Sequence, residues 1–164
     1  MLTNILKENF PDAIVDAHTN FGDETVVVKR ERIFSILQFL KTLNGSPFNL
    51  LLDICGVDHL TNPDPLPGND RFEVVYHLYS MSAKKRIRIK VRLTEADASL
   101  PSAIKIWEAA DWFEREAFDM YGIKFVGHPN LKRILMWDAF EGHPLRKDYP
   151  MEKRQPIPVP SDIV

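Results

Sequence analysis

The stretch "RFEVVYHLYSMSAKKRIRIKVRL", residues 71–93, decides the fold, because it contains two runs in which apolar and polar residues alternate. In residues 71–81 the apolar positions Phe72, Val74, Tyr76 and Leu78 recur at every second residue, and in residues 86–93 the alternation is strict. A period of two is typical of strands that bury one face only. A short polar link joins the runs, so they are predicted to form an antiparallel hairpin.

The residues before the hairpin predict two short helices and three further strands. Residues 2–10 have the spacing of an amphipathic helix, and residues 31–44 have that of a second helix ending at Asn44-Gly45. Between them, residues 13–19 and 24–29 are strand-like. The nearly continuous apolar run "FNLLLDICGV", residues 48–57, favours a strand buried on both faces.

After the hairpin, Pro101 is predicted to open a long helix that ends at Tyr121, with Gly122 as its cap. The chain then becomes irregular and ends in the proline-rich "QPIPVPSDIV". The fold class is therefore predicted to be α+β: a mixed or antiparallel sheet with a clear hairpin, helices packed on one face, and an extended irregular C-terminal tail. Residues 1–125 should form the core domain and residues 126–164 an extended segment for subunit docking.

Composition excludes several classes of function. The chain has 164 residues, a net charge of −2 and a single cysteine, Cys55. One cysteine cannot provide the cluster of thiolates that an iron–sulfur cluster or a cysteine-rich zinc site requires, and no glycine-rich phosphate loop is present. No window approaches eighteen apolar residues, so no transmembrane segment is predicted.

The tripeptide Gly-His-Pro occurs twice, around His128 and His143, close to an acidic helix end. A metal site, an acid–base pair and an interface are all possible interpretations. No spacing places two metal ligands on one helical face, and no nucleophile is recognisable, so we predict no metal-binding and no catalytic residues. Each tripeptide has the properties of a rigid turn that fixes a histidine.

Acidic residues at the C-terminal end of the long helix are unfavourable for the helix dipole. Arg115 could pair with Asp111 and Asp119 at helical spacing. The remaining acids require cations from elsewhere, and the following segment offers Lys132, Arg133, Arg146 and Lys147. Of these, Arg146 and Lys147 are the predicted partners in an electrostatic latch with Glu114, Glu116 and Asp119.

The second hairpin run carries a basic face that includes Arg86, Arg88 and Lys90. Three interpretations remain open: a nucleic-acid platform, a solvated sheet face, or a surface that meets an acidic partner. The face lacks the stacking aromatic residues of a nucleic-acid platform, so no nucleic-acid partner is predicted.

The run "EREAFDMYGIKFVGHPNLKRIL", residues 114–135, followed by "FEGHPLRKDYP", residues 140–150, resembles the C subunit of NADH–quinone oxidoreductase, the respiratory complex I 30 kDa subunit family. The blocks "LLDICGVDHL", "RFEVVYHLYSM" and "RIRIKVRL" are also similar to the family, so residues 50–150 are covered. Residues 1–49 resemble the family only in the order of their predicted helices and strands.

The resemblance implies a peripheral subunit of the hydrophilic arm, on the cytoplasmic side of the plasma membrane. Its partners would be the D subunit, which holds the quinone site, and neighbouring iron–sulfur subunits, in a hetero-oligomer that transfers electrons from NADH to quinone and translocates protons. FMN and iron–sulfur clusters would lie in the partners, with no cofactor in this chain. An equivalent subunit of an energy-converting hydrogenase or photosynthetic-type NDH complex, a nucleic-acid-binding module and a metallohydrolase are the alternatives.

The residues of these motifs are the candidate interface residues: Glu114, Arg115, Glu116, Asp119, Tyr121, Gly122, His128, Pro129, Lys132, Gly142, His143, Pro144, Arg146, Lys147, Asp148 and Tyr149.

Overall fold

A computed structural model describes residues 1–157 and shows an α+β fold. The last part of the predicted tail, residues 158–164, lies outside the described residues. The helices are α1 (Leu2–Asn9), α2 (Ile33–Lys41) and α3 (Ala110–Tyr121). The strands are β1 (Ile14–Asn20), β2 (Asp23–Val28), β3 (Leu50–Asp58), β4 (Asp70–Ser80), β5 (Lys85–Thr94), β6 (Ser99–Pro101) and β7 (Lys124–Val126).

The first five strands form one mixed sheet in the order β1-β2-β5-β4-β3. The predicted hairpin is its centre: β4 and β5 are antiparallel, with Tyr76 opposite Ile89. β2 runs parallel to β5, whereas the β1–β2 and β3–β4 pairs are antiparallel. The prediction of a mixed sheet built around a hairpin is therefore confirmed.

One hydrophobic core joins the three helices to alternate residues of the strands. Tyr76 and Ile89 at the centre of the hairpin are fully buried. Other members of this cluster are Leu6, Ile36, Leu40 and Ala117 from the helices and Val26, Val74, Ile87 and Val91 from the sheet. The residues between them on β4 and β5 have their side chains on the other face of the sheet, away from the helices. They include His77, Arg88 and Lys90. The helices pack on one face of the sheet, as the alternation predicts.

The long helix begins nine residues later than predicted, at Ala110 rather than Pro101. Residues 99–101 instead form β6, which pairs in parallel with β7. Between β6 and α3 the chain makes separate turns, in which the Trp107 N–H donates to the Ala103 carbonyl at 3.0 Å. Such turns reproduce the spacing of buried residues in a helix, which explains the error.

The prediction that the third strand is buried on both faces is wrong. β3 is an edge strand that pairs with β4, and its side chains alternate between the core and the exterior. Leu50, Leu52 and Val57 are 40%, 39% and 36% exposed. An apolar run does not reveal whether a second layer covers it, and here the helices lie on one side only.

A glycine in β3 allows α3 to lie close to the sheet. A Cβ atom at Gly56 would be 2.6 Å from Cδ2 of Tyr121, well inside contact distance. Only glycine permits this approach of helix and strand. The contact fixes the C-terminal end of α3, where the candidate interface residues begin.

Candidate interface at the end of the third helix

The last carbonyl groups of α3 all accept hydrogen bonds, although a helix end leaves them without partners inside the helix. The Gly122 N–H donates to the Phe118 carbonyl at 2.8 Å. The second Gly-His-Pro turn supplies the other donors: His143 Nδ1 to Asp119 O at 2.9 Å, Leu145 N to Met120 O at 3.1 Å, and Arg146 Nε to Tyr121 O at 2.6 Å. This turn therefore caps the helix.

Gly122 is required at the junction between helix and cap. Its φ of +78° lies in the left-handed region, which glycine adopts without strain. A Cβ atom there would lie 2.6 Å from His143 Nε2 and 2.8 Å from Arg146 Nη2. Burial lowers the pKa of His143, and the charge of Arg146 acts in the same direction, while the hydrogen bond to the Asp119 carbonyl opposes them only in part. The imidazole is therefore neutral when it donates through Nδ1.

Asp119 organises the chain that follows α3. Its Oδ1 lies 2.6 Å from Arg133 Nη1, while its Oδ2 accepts the backbone N–H groups of Ile134, Leu135 and Met136 at 2.8–3.0 Å. Burial of the side chain acts to raise the pKa of Asp119, but these donors together hold the pKa below its usual value. The carboxylate thus fixes an irregular segment by charge-assisted hydrogen bonds.

The predicted latch partners are wrong in detail. Arg133, rather than Arg146 or Lys147, pairs with Asp119. The Arg146 guanidinium binds the Tyr121 carbonyl and lies 3.7 Å from Glu95. Sequence spacing could not select among the basic residues, because the chain turns twice between residues 126 and 146.

Among residues 1–157, neither glutamate of the predicted latch forms an ion pair with a basic side chain. Glu114 is fully buried and accepts from Ser102 and Ala103, while Glu116 is exposed on the helix surface. Lys147 uses its backbone N–H to bind Asp58 Oδ2 at 2.8 Å.

Arg115 also differs from its prediction. It was expected to pair with Asp111 and Asp119, but its guanidinium donates to the Lys132 and Arg133 carbonyls, both at 3.1 Å. The guanidinium also lies 5.3 Å from the ring centroid of Trp112. Arg115 therefore attaches the following segment to α3.

The first Gly-His-Pro turn lies against the N-terminal part of α3. His128 Nε2 is 3.3 Å from the Asp111 carbonyl, and its Nδ1 accepts the Asn130 N–H at 3.0 Å. The imidazole is completely buried, although the residue including its backbone is half-buried. In residues 1–157 neither this histidine nor His143 belongs to a cluster of three potential metal ligands. Both turns hold the segment onto the helix.

A buried arginine that sequence reasoning did not select joins the end of the segment to the sheet. Arg71 is 7% exposed and binds both oxygens of Asp58, at 3.1 and 2.8 Å, and both oxygens of Asp148, at 3.1 and 2.7 Å. Its Nη1 also lies 2.7 Å from Glu95 Oε1. The hydrogen bonds that the guanidinium donates to Asp58 and then to Asp148 raise its pKa, so it is charged at all ordinary pH values.

The candidate interface residues differ in their access to a partner. Glu114 and Asp119 are buried and act within the chain. Arg115, Tyr121, Gly122, His128, His143, Pro144, Arg146 and Tyr149 are half-buried, whereas Glu116, Pro129, Lys132, Gly142, Lys147 and Asp148 are exposed. The region also exposes apolar side chains that sequence analysis did not select, namely Trp112, Leu135, Leu145 and Met151, at 61%, 56%, 48% and 101%.

The basic face of the hairpin is partly neutralised within the sheet. Lys90 Nζ lies 2.6 Å from Glu73 Oε2, and Arg88 Nη1 donates to Thr25 Oγ1 at 2.9 Å. Arg92 lies 3.9 Å from the same glutamate. Internal pairing favours a solvated or partner-facing surface over the nucleic-acid platform.

Glu114 is an ionisable group in an unusual position. Its carboxylate accepts from the Ser102 hydroxyl and the Ala103 N–H, both at 2.6 Å, and has no exposed surface. Burial raises the pKa of Glu114 to about 7, and these two hydrogen bonds counteract the rise only in part. The interaction holds the turns before α3 against the helix.

We expect Glu114 to make the stability of the fold depend on pH. A carboxyl whose pKa rises from 4.5 to about 7 on folding stabilises the protein fully below pH 4.5 and loses that contribution as pH rises through 7. The change corresponds to about 3 kcal/mol. The Glu114→Gln variant cannot ionise, so its free energy of unfolding should fall less than that of the wild type over this range.

Urea unfolding of both proteins between pH 4.5 and 8 measures the difference. Glu116→Gln, on the exposed side of the same helix, is the matched control and should follow the wild type. Parallel pH profiles for the wild type and Glu114→Gln would contradict the assignment.

Comparison with known protein families assigns this chain to one of them. Residues 26–155 match the family described as the respiratory-chain NADH dehydrogenase, 30 Kd subunit. The chain belongs to this family. The matched range includes the Asp119 and Arg71 contacts and both Gly-His-Pro turns, and it confirms the resemblance found in the sequence.

Individual proteins that are similar to this chain support the same assignment. The chain is 51% identical over 147 residues to the C subunit of NADH-quinone oxidoreductase from Citrifermentans bemidjiense, covering 90% of this chain and 86% of the relative. A structure of a trypsin-resistant fragment of Nqo5 is 37% identical with a TM-score of 0.70, covering 79% of this chain and 98% of the fragment.

A second solved structure comes from the membrane-bound sulfane sulfur reductase, an archaeal respiratory membrane complex. It is 26% identical with a TM-score of 0.74, covering 92% of this chain and 85% of the other. Within residues 1–157, none of the helices combines the length and apolar character needed to cross a membrane.

Proposed function

We propose that this chain is a structural subunit in the hydrophilic arm of a proton-translocating NADH:quinone oxidoreductase. It holds no FMN, iron–sulfur cluster or quinone site, and it binds the quinone-site D subunit and neighbouring iron–sulfur subunits on the cytoplasmic side of the plasma membrane. Its contribution to electron transfer from NADH to quinone is to fix the arrangement of these partners. Family membership and the single cysteine support this proposal.

The observation that carries the proposal is a pair of exposed apolar side chains on a rigidly held segment. Leu135 and Leu145 are exposed, yet the backbone around them is fixed by Asp119 and by the end of α3. Exposed apolar side chains on a prearranged surface favour binding, because less conformational entropy is lost on association. Trp112 and Met151 are exposed as well and are further candidates for contact with a partner.

A second candidate is the equivalent subunit of a related membrane complex with an electron donor other than NADH. The similarity to the chain from the membrane-bound sulfane sulfur reductase supports it, because that chain has the same fold over 92% of this one. The two candidates share the docking role and differ in the partner subunits.

The test is affinity purification of the tagged full-length chain from membranes of the cells that produce it. We expect other subunits of the NADH:quinone oxidoreductase to co-purify. The double variant Leu135→Asp/Leu145→Asp should reduce their recovery at least about tenfold, since charge in an apolar contact costs more than about 1.4 kcal/mol. A recovered NADH-binding flavoprotein supports the first candidate, and its replacement by another donor subunit supports the second.

Phe21→Asp is the matched control, because Phe21 is fully exposed in the β1–β2 turn with a φ of 54° that aspartate tolerates. All variants should unfold at the wild-type midpoint. Undiminished recovery with the double variant, or no co-purifying subunit with the wild type, would contradict the proposal.

A further inference from the structure

Three side chains of different ligand types meet on the sheet face opposite the helices. Asp53 on β3 and His77 on β4 are cross-strand partners, and Cys55 lies two residues from Asp53. Residues two apart on a strand share a face, and directly opposite residues are neighbours across the ladder. One potential ligand atom of each residue lies within 4.8 Å of the other two.

We propose that Asp53, Cys55 and His77 form a binding site for a divalent transition-metal cation of the zinc type. Thiolate and imidazole are ligands that zinc prefers, and a carboxylate completes a three-residue set. Three protein ligands leave one position of a tetrahedral site for water. Binding displaces the Cys55 thiol proton to solvent, so one thiolate, one carboxylate and one neutral imidazole balance the charge of the dication.

The surroundings of the Cys55 thiol suit this exchange. Its Sγ lies within 4.8 Å of a ligand atom of Asp53 and of His77, and it donates only a long hydrogen bond, of 4.0 Å, to the Val75 carbonyl. A cation can therefore take the place of the thiol proton.

The basic residues of the same sheet face contact other side chains rather than Asp53. Arg88 donates to Thr25, and its Nη2 lies 3.9 Å from Asp23. Lys90 is bonded to Glu73. Among residues 1–157, no lysine or arginine lies within 4.0 Å of the Asp53 carboxylate, which is thus available to a cation.

This proposal revises the expectation of a chain without a metal site. The histidines that the sequence offers as metal ligands, His128 and His143, lie close to acidic residues along the chain. Asp53 and His77 are separated by 24 positions and are joined only by the register of β3 and β4. All three residues are half-buried, so an ion can reach them from solvent.

The test uses the purified full-length chain, reduced and freed of metal by dialysis. Co²⁺ serves as the spectroscopic probe and Zn²⁺ as the competitor. We expect one equivalent of Co²⁺ to produce the near-ultraviolet thiolate-to-cobalt charge-transfer band, which Zn²⁺ removes. Binding should strengthen as pH rises, because a thiol proton is released.

Cys55→Ser should abolish the band, and His77→Gln and Asp53→Asn should each weaken binding at least about tenfold, since even outer contacts of a metal site contribute that much. His18→Gln, a half-exposed histidine on β1, is the matched control and should bind as the wild type does. Zn²⁺ should also raise the unfolding temperature of the wild type but not of Cys55→Ser.

Equal affinity in the wild type, His77→Gln and Asp53→Asn would show a nonspecific thiol interaction and overturn the proposal. Absence of a saturable band in the wild type would overturn it as well. Circular dichroism of each variant establishes that the fold is retained. Neither outcome depends on recovery of partner subunits, so this test is independent of the docking proposal.

Discussion

Replacing Arg71 with methionine should lower the free energy of unfolding by about 3–5 kcal/mol, because it leaves buried charge without its partner. Asp58 has no exposed side-chain surface and relies on this guanidinium at 2.8 Å. Burial acts to raise the pKa of Asp58, while the hydrogen bonds from Arg71 and then Lys147 hold it below its usual value. Methionine fills similar volume but satisfies none of the carboxylate oxygens.

Urea unfolding at neutral pH measures the change. The double variant Arg71→Met/Asp58→Asn should recover part of the loss, because the amide removes the unpaired charge and retains an acceptor for the Lys147 N–H. Arg88→Met is the matched control: this arginine is 32% exposed, and its loss should cost less than about 1 kcal/mol. A loss for Arg71→Met as small as that of the control would contradict the network's role.

The Asp119→Asn variant should lose about 3–5 kcal/mol. The amide keeps the shape of the side chain but removes the charge that binds Arg133, and its NH₂ group must face either that guanidinium or the three backbone N–H donors. Because the wild-type pKa is held below 3.8, the difference between the proteins should shrink as pH falls below that value.

Arg133→Met should cost less than Asp119→Asn, because the backbone donors of residues 134–136 keep their acceptor. Asp138→Asn is the control, an exposed aspartate in the same segment that should leave stability unchanged. If the Arg133 variant were as unstable as the Asp119 variant, the ion pair rather than the backbone contacts would hold the segment.

The central hairpin could be predicted from sequence because its information is local. Alternation over residues 71–93 specifies both the strands and the face each side chain takes. The fold class and the placement of the helices on one face follow from it. The family motifs were also local, since they lie in continuous runs on α3 and after it.

The errors arose where local pattern and tertiary contact disagree. The turns after β6 carry helix-like apolar spacing, yet the Ala103 N–H binds Glu114 instead of continuing a helix into α3. The apolar run of β3 gave no indication that only one of its faces would be covered. In both segments the final structure is determined by tertiary packing rather than by the local sequence pattern.

The charged contacts were the least accessible to sequence reasoning. Arg71 and Asp148 are 77 positions apart, and Asp58 is joined to Lys147 across 89. No spacing rule relates such residues, because the folding of the segment over α3 brings them together. The same holds for Asp53 and His77, which meet only through strand register.

The cap on α3 links the stability of the helix end to that of the segment over it. The Met120 and Tyr121 carbonyls are bonded by Leu145 and Arg146, so the last helical turn cannot fray while these contacts persist. Local opening must therefore break both elements at once and behave as a single cooperative unit. The slowest-exchanging amides of the segment should then report the opening free energy of the helix terminus.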